Sequence, residues 1–149
     1  MYLAHPVFKI YRYLGAVAYR QYITKAIRRL LGPSVATTNL PAAGRVSLMH
    51  QPGQGRYILH LLYANTILRG GKAQLSEEGY VRDTNGVELI EDLPAVYGTK
   101  VSLAIPQEVK RVNLQPQDRG IAFVKTDDGR IELTIEEFTC HQMVVLHYK

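Results

Sequence analysis

"IAFVKTDDGRIELTI", residues 121–135, holds two runs of alternating apolar and polar residues joined by Asp127, Asp128 and Gly129. A period of two belongs to a half-buried strand, because successive side chains leave a strand on opposite faces. Gly129 accepts a positive φ at no steric cost, so the junction predicts a tight hairpin. Outward from it, "CHQMVVLHY" (140–148) reads as a closing strand. "RYILHLLYA" (56–64) is too uniformly apolar to alternate, which predicts a central strand covered on both faces. "RVSLMH" (45–50), "VELIEDL" (87–93), "KVSLAI" (100–105) and "KRVNLQ" (110–115) are further strand candidates. About seven to nine short strands with turns at close intervals imply an antiparallel β-sandwich, a mainly β fold. "KAQLSEEGYVRDTNG" (72–86) is polar and turn-rich, and reads as an extra hairpin or loop between strands.

The period changes at the N-terminal end. Val7, Ile10, Tyr11, Leu14 and Val17 form one apolar stripe at helical spacing. Ala16, Tyr19, Ile23, Ala26, Ile27 and Leu30 form another, on roughly the opposite side of a straight helix. Gly15 lies at the crossover, so a short helical segment followed by a longer amphipathic helix is expected, ending near Leu31 at "GPS" (32–34). "VATTNLPAAG" (35–44) then reads as an extended linker. Two units are expected: a helical extension over 1–34 and a sandwich over 35–149. One helix beside a small sheet buries a single stripe easily but not two opposed ones, which points to a partner surface.

The chain has 149 residues, 46% hydrophobic and 21% charged, an ordinary globular composition. The formal charge is +5, and residues 1–40 hold six basic and no acidic residues. A basic face of this kind binds nucleic acid or a membrane only within a coherent motif, and none is present, so neither partner is expected. Single Cys140 excludes an internal disulfide and a cysteine-rich zinc site. "MYLAHPVFKIYRYLG" lacks the order of a secretory signal, and no apolar run has the roughly 18 residues of a membrane span, so a cytoplasmic chain is expected.

The residues that carry chemistry do not form a constellation. Of the five histidines (His5, His50, His60, His141, His147), His141 and His147 share a strand face, but no HxH or HxxxH pair supports a metal site. Cys140 and His141 are adjacent and diverge on a strand, so they cannot act together as nucleophile and base. Glu91 and Asp92 diverge likewise, and Glu136 and Glu137 are expected in solvent. None makes the opposed carboxylate pair of glycoside cleavage. "GQGRYILHLLYA" lacks phosphate-loop spacing, and "RGG" at 69–71 is a single copy. No catalytic residue, cofactor or metal is expected. Ten tyrosines and no tryptophan leave Tyr57, Tyr63, Tyr80 and Tyr97 as candidate sugar contacts, set against the commoner role of tyrosine as core and edge filler.

"AHPVF" (4–8), "TTNLP" (37–41), "HQPGQGRYILHLLYA" (50–64), "RGG" (69–71), "VELIEDLPAVYGTKVSLAIPQEVKRVNLQP" (87–116) and "CHQMVVLHY" (140–148) occur in order along nearly the whole chain. The series resembles the C-terminal end of bacterial glycosidases with β-galactosidase-type trimerisation domains, related to glycoside hydrolase family 42 and certain α-L-fucosidases. The resemblance implies the tail of a trimerisation domain over residues 1–34 and a C-terminal sandwich after it. It also implies a missing catalytic barrel, which alone takes about 250 residues. A chain of this kind would be a non-catalytic accessory or assembly domain, associated with copies of itself or with the missing catalytic part. A stand-alone carbohydrate-binding module is the alternative.

Overall fold

The computed structural model describes residues 5–70 and 86–149, with the strand backbones at 73–76 and 79–82. Two compact units are present, Met1–Val35 and Ala36–Lys149. In the first, α1 (Val7–Leu14) ends where Gly15 turns left-handed at φ 62° and donates its N–H to the Tyr11 carbonyl at 2.8 Å. The reversal costs a glycine little, and α2 (Val17–Leu31) follows at once. Gly32, at φ 74°, closes α2 through an N–H to the Arg28 carbonyl, and Pro33 prevents continuation. Arg28 and Arg29 in the last turn complement the negative end of the helix dipole. Val7 and Ile23 are buried, while Phe8, Leu14, Val17, Leu30 and Leu31 are exposed, Leu31 at 80%.

The second unit contains β1 (Ala36–Thr38), β2 (Arg45–Gln51), β3 (Arg56–Tyr63), β4 (Ile67–Arg69), β5 (Ala73–Ser76), β6 (Gly79–Arg82), β7 (Val87–Leu89), β8 (Ala95–Leu103), β9 (Arg111–Gln115), β10 (Arg119–Gly120), β11 (Phe123–Lys125) and β12 (Ile131–His147). Every pairing among them is antiparallel. The fold is mainly β, an antiparallel sandwich preceded by helices.

β12 organises it. Residues 131–139 pair with β8, and the start of the same strand pairs with β11, giving a first sheet β1–β8–β12–β11. Residues 140–147 pair with β3, and 143–147 also with β9, giving a second sheet β2–β3–β12–β9–β10. One strand thus passes between layers, which requires a bend. Two backbone features supply it. Cys140 sits at φ 62°, where the pairing changes from β8 to β3. Upstream, burial changes phase: Ile131, Leu133 and Ile135 point inward, then Glu136 and Glu137 are both exposed, then Phe138 is buried. β8 changes phase on the same rungs, at exposed Tyr97 and Gly98, and Gly98 has φ 60°.

The core lies between the layers. Leu48, Leu59, Val144 and Leu114 form one row across four strands of the second sheet, since each is the register partner of the next. Val101, Leu103, Ile131, Leu133 and Ile135 face them from the first sheet, within one apolar cluster. Fully burying a leucine of this kind is worth about 1.5–3 kcal/mol.

Several expectations need correction. "IELTI" and "CHQMVVLHY" are one 17-residue strand, because a left-handed Cys140 bends the chain without ending it. The linker at 35–44 contributes β1, which pairs with β8 and is pinned where Asn39 accepts the Lys100 N–H at 2.7 Å. "VELIEDL" is a strand only over Val87–Leu89. β3 is central, with Tyr57, Ile58 and Leu59 buried in succession, but Leu62 on the outer face is 36% exposed. The hairpin at 121–135 forms as expected, with Gly129 at φ 80° and its N–H on the Thr126 carbonyl at 2.9 Å. Thr126 also donates to Asp128, and that bond is the main reason the Asp128 carboxyl lies below its usual range. Within 72–86, β5 and β6 pair as a hairpin.

Candidate functional site

The outer face of the first sheet carries a groove of about 890 Å³. Register fixes its floor. Thr37, Ser102, Glu132 and Val124 are successive partners across β1, β8, β12 and β11, so they form one rung on one face. Lys100 and Thr134 form the next rung. Asn39 and the Gly120–Val124 segment flank the floor, and Arg119 reaches Glu136 at 3.6 Å at one end. Ser102 is already engaged, its hydroxyl oxygen accepting the Arg130 Nε–H at 2.8 Å. The side chains of Thr37, Lys100, Glu132 and Thr134 have no hydrogen-bond partner among the described residues, leaving hydroxyl, ammonium and carboxylate groups toward solvent. Such a floor can hydrogen-bond a hydroxyl-rich ligand. It is not arranged for acid–base cleavage: Glu132 and Glu136 lie four residues apart on a strand, about 13 Å. A glycosidase pair sits roughly 5–9.5 Å apart across one bond.

The residues singled out in the sequence fall elsewhere. Tyr57 is a core residue, 7% exposed, its hydroxyl donating to Gln107 Oε1 at 2.6 Å and its ring stacked on His50 at 4.2 Å. It cannot present a face to a sugar. Tyr63 is half-buried beside the core, and Tyr97 is 69% exposed at the phase change. The Tyr80 side chain lies outside the described residues. Tyr57, Tyr63 and Tyr97 do not line the groove.

The histidines resolve into separate roles. His50 Nε2 bonds the Tyr148 hydroxyl at 2.8 Å. His60 Nδ1 and His141 Nε2 lie 3.0 Å apart with their rings stacked, one a donor and the other an acceptor. No group of three or more His, Cys, Asp or Glu that could hold a metal occurs among the described residues. Glu91 is not on a strand: it follows β7 and accepts both Arg69 Nε and Nη2 at 2.7 Å, a bidentate pair. The "HQPGQGR" turn is structural too, since Gly55, at φ 62°, accepts the Tyr148 N–H at 2.9 Å.

No family model and no curated protein matches the sequence. Among solved structures, it matches α-L-fucosidase isoenzyme 2 from Paenibacillus thiaminolyticus, with a TM-score of 0.84 and 37% identity. The alignment covers 99% of this chain and 20% of that one. This chain is related to part of a glycosidase. It spans about a fifth of that protein's length, and the β-rich fold and the helices before it lie within the shared region. Neither the groove floor nor its rungs were legible beforehand, because they depend on which strands become neighbours. No helix is long and apolar enough to cross a membrane among the described residues.

Proposed function

We propose that the chain is a non-catalytic accessory and assembly domain of a glycoside hydrolase, with residues 1–34 the tail of a trimerisation-like domain and the catalytic barrel outside these 149 residues. The supporting observation is the 37% identity to an α-L-fucosidase over 99% of this chain but 20% of that one. The exposed Phe8, Leu14, Val17, Leu30 and Leu31 of the helical unit support a packing role, since association is one way to cover apolar side chains of this size. The occupant is a second copy of the chain, in a homo-oligomer. Sedimentation velocity over a concentration series tests this. A dimer or trimer is expected, and Leu30→Glu with Leu31→Glu should return it to monomer. A monomer at every concentration would overturn the assembly role. Turnover of a nitrophenyl fucoside that survives repurification would overturn the non-catalytic one.

A second reading, a stand-alone carbohydrate-binding module, is favoured by the polar groove on the first sheet. Its contacts would be Thr37, Lys100, Glu132 and Thr134 rather than Tyr57. Calorimetry against fucosides and galactosides is expected to give saturable binding that Glu132→Ala weakens about tenfold, a loss of roughly 1.4 kcal/mol. Heats of dilution alone across the panel would remove this reading.

A further inference from the structure

The outer face of the second sheet holds a row of a different kind. Gln51, Arg56, His147 and Arg111 are successive register partners across β2, β3, β12 and β9. They point away from the core, since Tyr57, Leu146 and Val112, their neighbours in sequence, point into it. Neighbouring strands lie about 4.8 Å apart, so three cationic or cationisable groups span roughly 10 Å. Gln51 Oε1 accepts the Arg56 Nε–H at 2.7 Å, which orients the guanidinium and leaves its terminal nitrogens available. Neither Arg56 nor Arg111 forms an ion pair with a carboxylate among the described residues. The acidic group that acts on His147 is Asp118, and its Oδ1 already accepts Asn113 Nδ2 at 3.0 Å and Gln115 Nε2 at 2.9 Å.

We propose that Arg56, His147 and Arg111 form a binding site for an oxyanion, a sulfate, phosphate or carboxylate group. Two forked guanidinium groups flanking an imidazole present N–H donors from three adjacent strands, and charge-assisted bonds to an oxyanion are the strong ones. Placed side by side on adjacent strands, these cationic groups repel one another. His147 is held below its ordinary value first by burial and then by Arg111 and Arg56, with Asp118 acting in the opposite sense. A bound anion reverses the balance and lets the imidazole protonate as a third donor.

The test is a pH titration of the His147 ring by NMR in sodium sulfate, sodium phosphate or sodium acetate, each against sodium chloride at equal ionic strength. Chloride is the necessary control, because screening alone weakens the repulsion from the two arginines. In chloride, His147 is expected to titrate below the ordinary imidazole range. Saturating oxyanion should raise it by about one unit beyond chloride. A larger effect from sulfate and phosphate assigns a tetrahedral oxyanion, and a larger effect from acetate assigns a carboxylate. Arg56→Gln with Arg111→Gln should abolish the difference, and Arg111→Lys should retain charge but lose the fork and most of the affinity. Identical curves in chloride and all oxyanions would overturn the site. So would an oxyanion effect surviving in the double variant, whose amide spectrum checks that it folds. The result does not depend on the assembly or catalytic status of the chain.

Discussion

Leu59→Ala is expected to destabilise the protein by about 3 kcal/mol in urea unfolding, within a range of roughly 2–5 kcal/mol for buried leucines. Leu59 is fully buried, and its register partners on either side are Leu48 and Val144. The truncation therefore leaves a void in the middle of the row that ends at Leu114, where four strands fix the surrounding backbone and limit collapse. Domains of this size have about 5–15 kcal/mol in total, so the loss is a large fraction. Leu62→Ala, three residues on and pointing to the outer face, should cost well under half as much. Equal losses at the two positions would mean that the strand is covered equally on both faces, as the uniformly apolar "RYILHLLYA" predicts when read alone. The assay needs only the purified chain and a fluorescence or circular dichroism signal.

The contrast between those two positions shows what the sequence does and does not carry. Helices were legible because Gly15 and Gly32 punctuate a 3.6-residue period, and the terminal hairpin because Gly129 interrupts a period of two. Strand partners were not. Thr37, Ser102 and Glu132 are separated by 65 and 30 positions in the numbering, and nothing local shows that they share a rung. The row Arg56–His147–Arg111 is hidden for the same reason. Tyrosines are ambiguous in sequence: Tyr57 is a candidate sugar contact set against a core role, and only its ring against His50 and its hydroxyl on Gln107 show which packing it takes. Cys140 offered no signal at all, because a non-glycine residue at φ 62° is a tertiary outcome, imposed by the need of β12 to serve both layers. The double acid "EE" at 136–137 did carry a signal. Two adjacent polar residues in an otherwise alternating strand mark the change of phase.

That phase change supplies the second large effect. Gly98→Val is expected to cost about 2 kcal/mol or somewhat more, and Gly98→Ala about 1 kcal/mol, because the left-handed region penalises a Cβ and penalises a β-branched side chain further. Space is not the cause. A Cβ built on Gly98 meets nothing within 4 Å, so the penalty is one of backbone conformation at φ 60°. Gly98 lies between the pairs Tyr97↔Glu137 and Thr99↔Ile135, and its carbonyl accepts Asn39 Nδ2 at 3.1 Å. Relaxing the strain toward ordinary β geometry would turn either Val96 or Thr99 out of the core side and disturb the Asn39 clamp that holds β1 against β8. The loss should therefore appear both in global stability and in faster exchange of the Lys100 amide, which donates to Asn39 Oδ1. Gly53→Ala is the control. Its Cβ would also meet open space, and its φ is not left-handed, so a change within about 0.5 kcal/mol is expected. If Gly98→Val proved as harmless as Gly53→Ala, the bend in β8 would not depend on a left-handed residue. The reading that β8 and β12 change phase together would then be wrong.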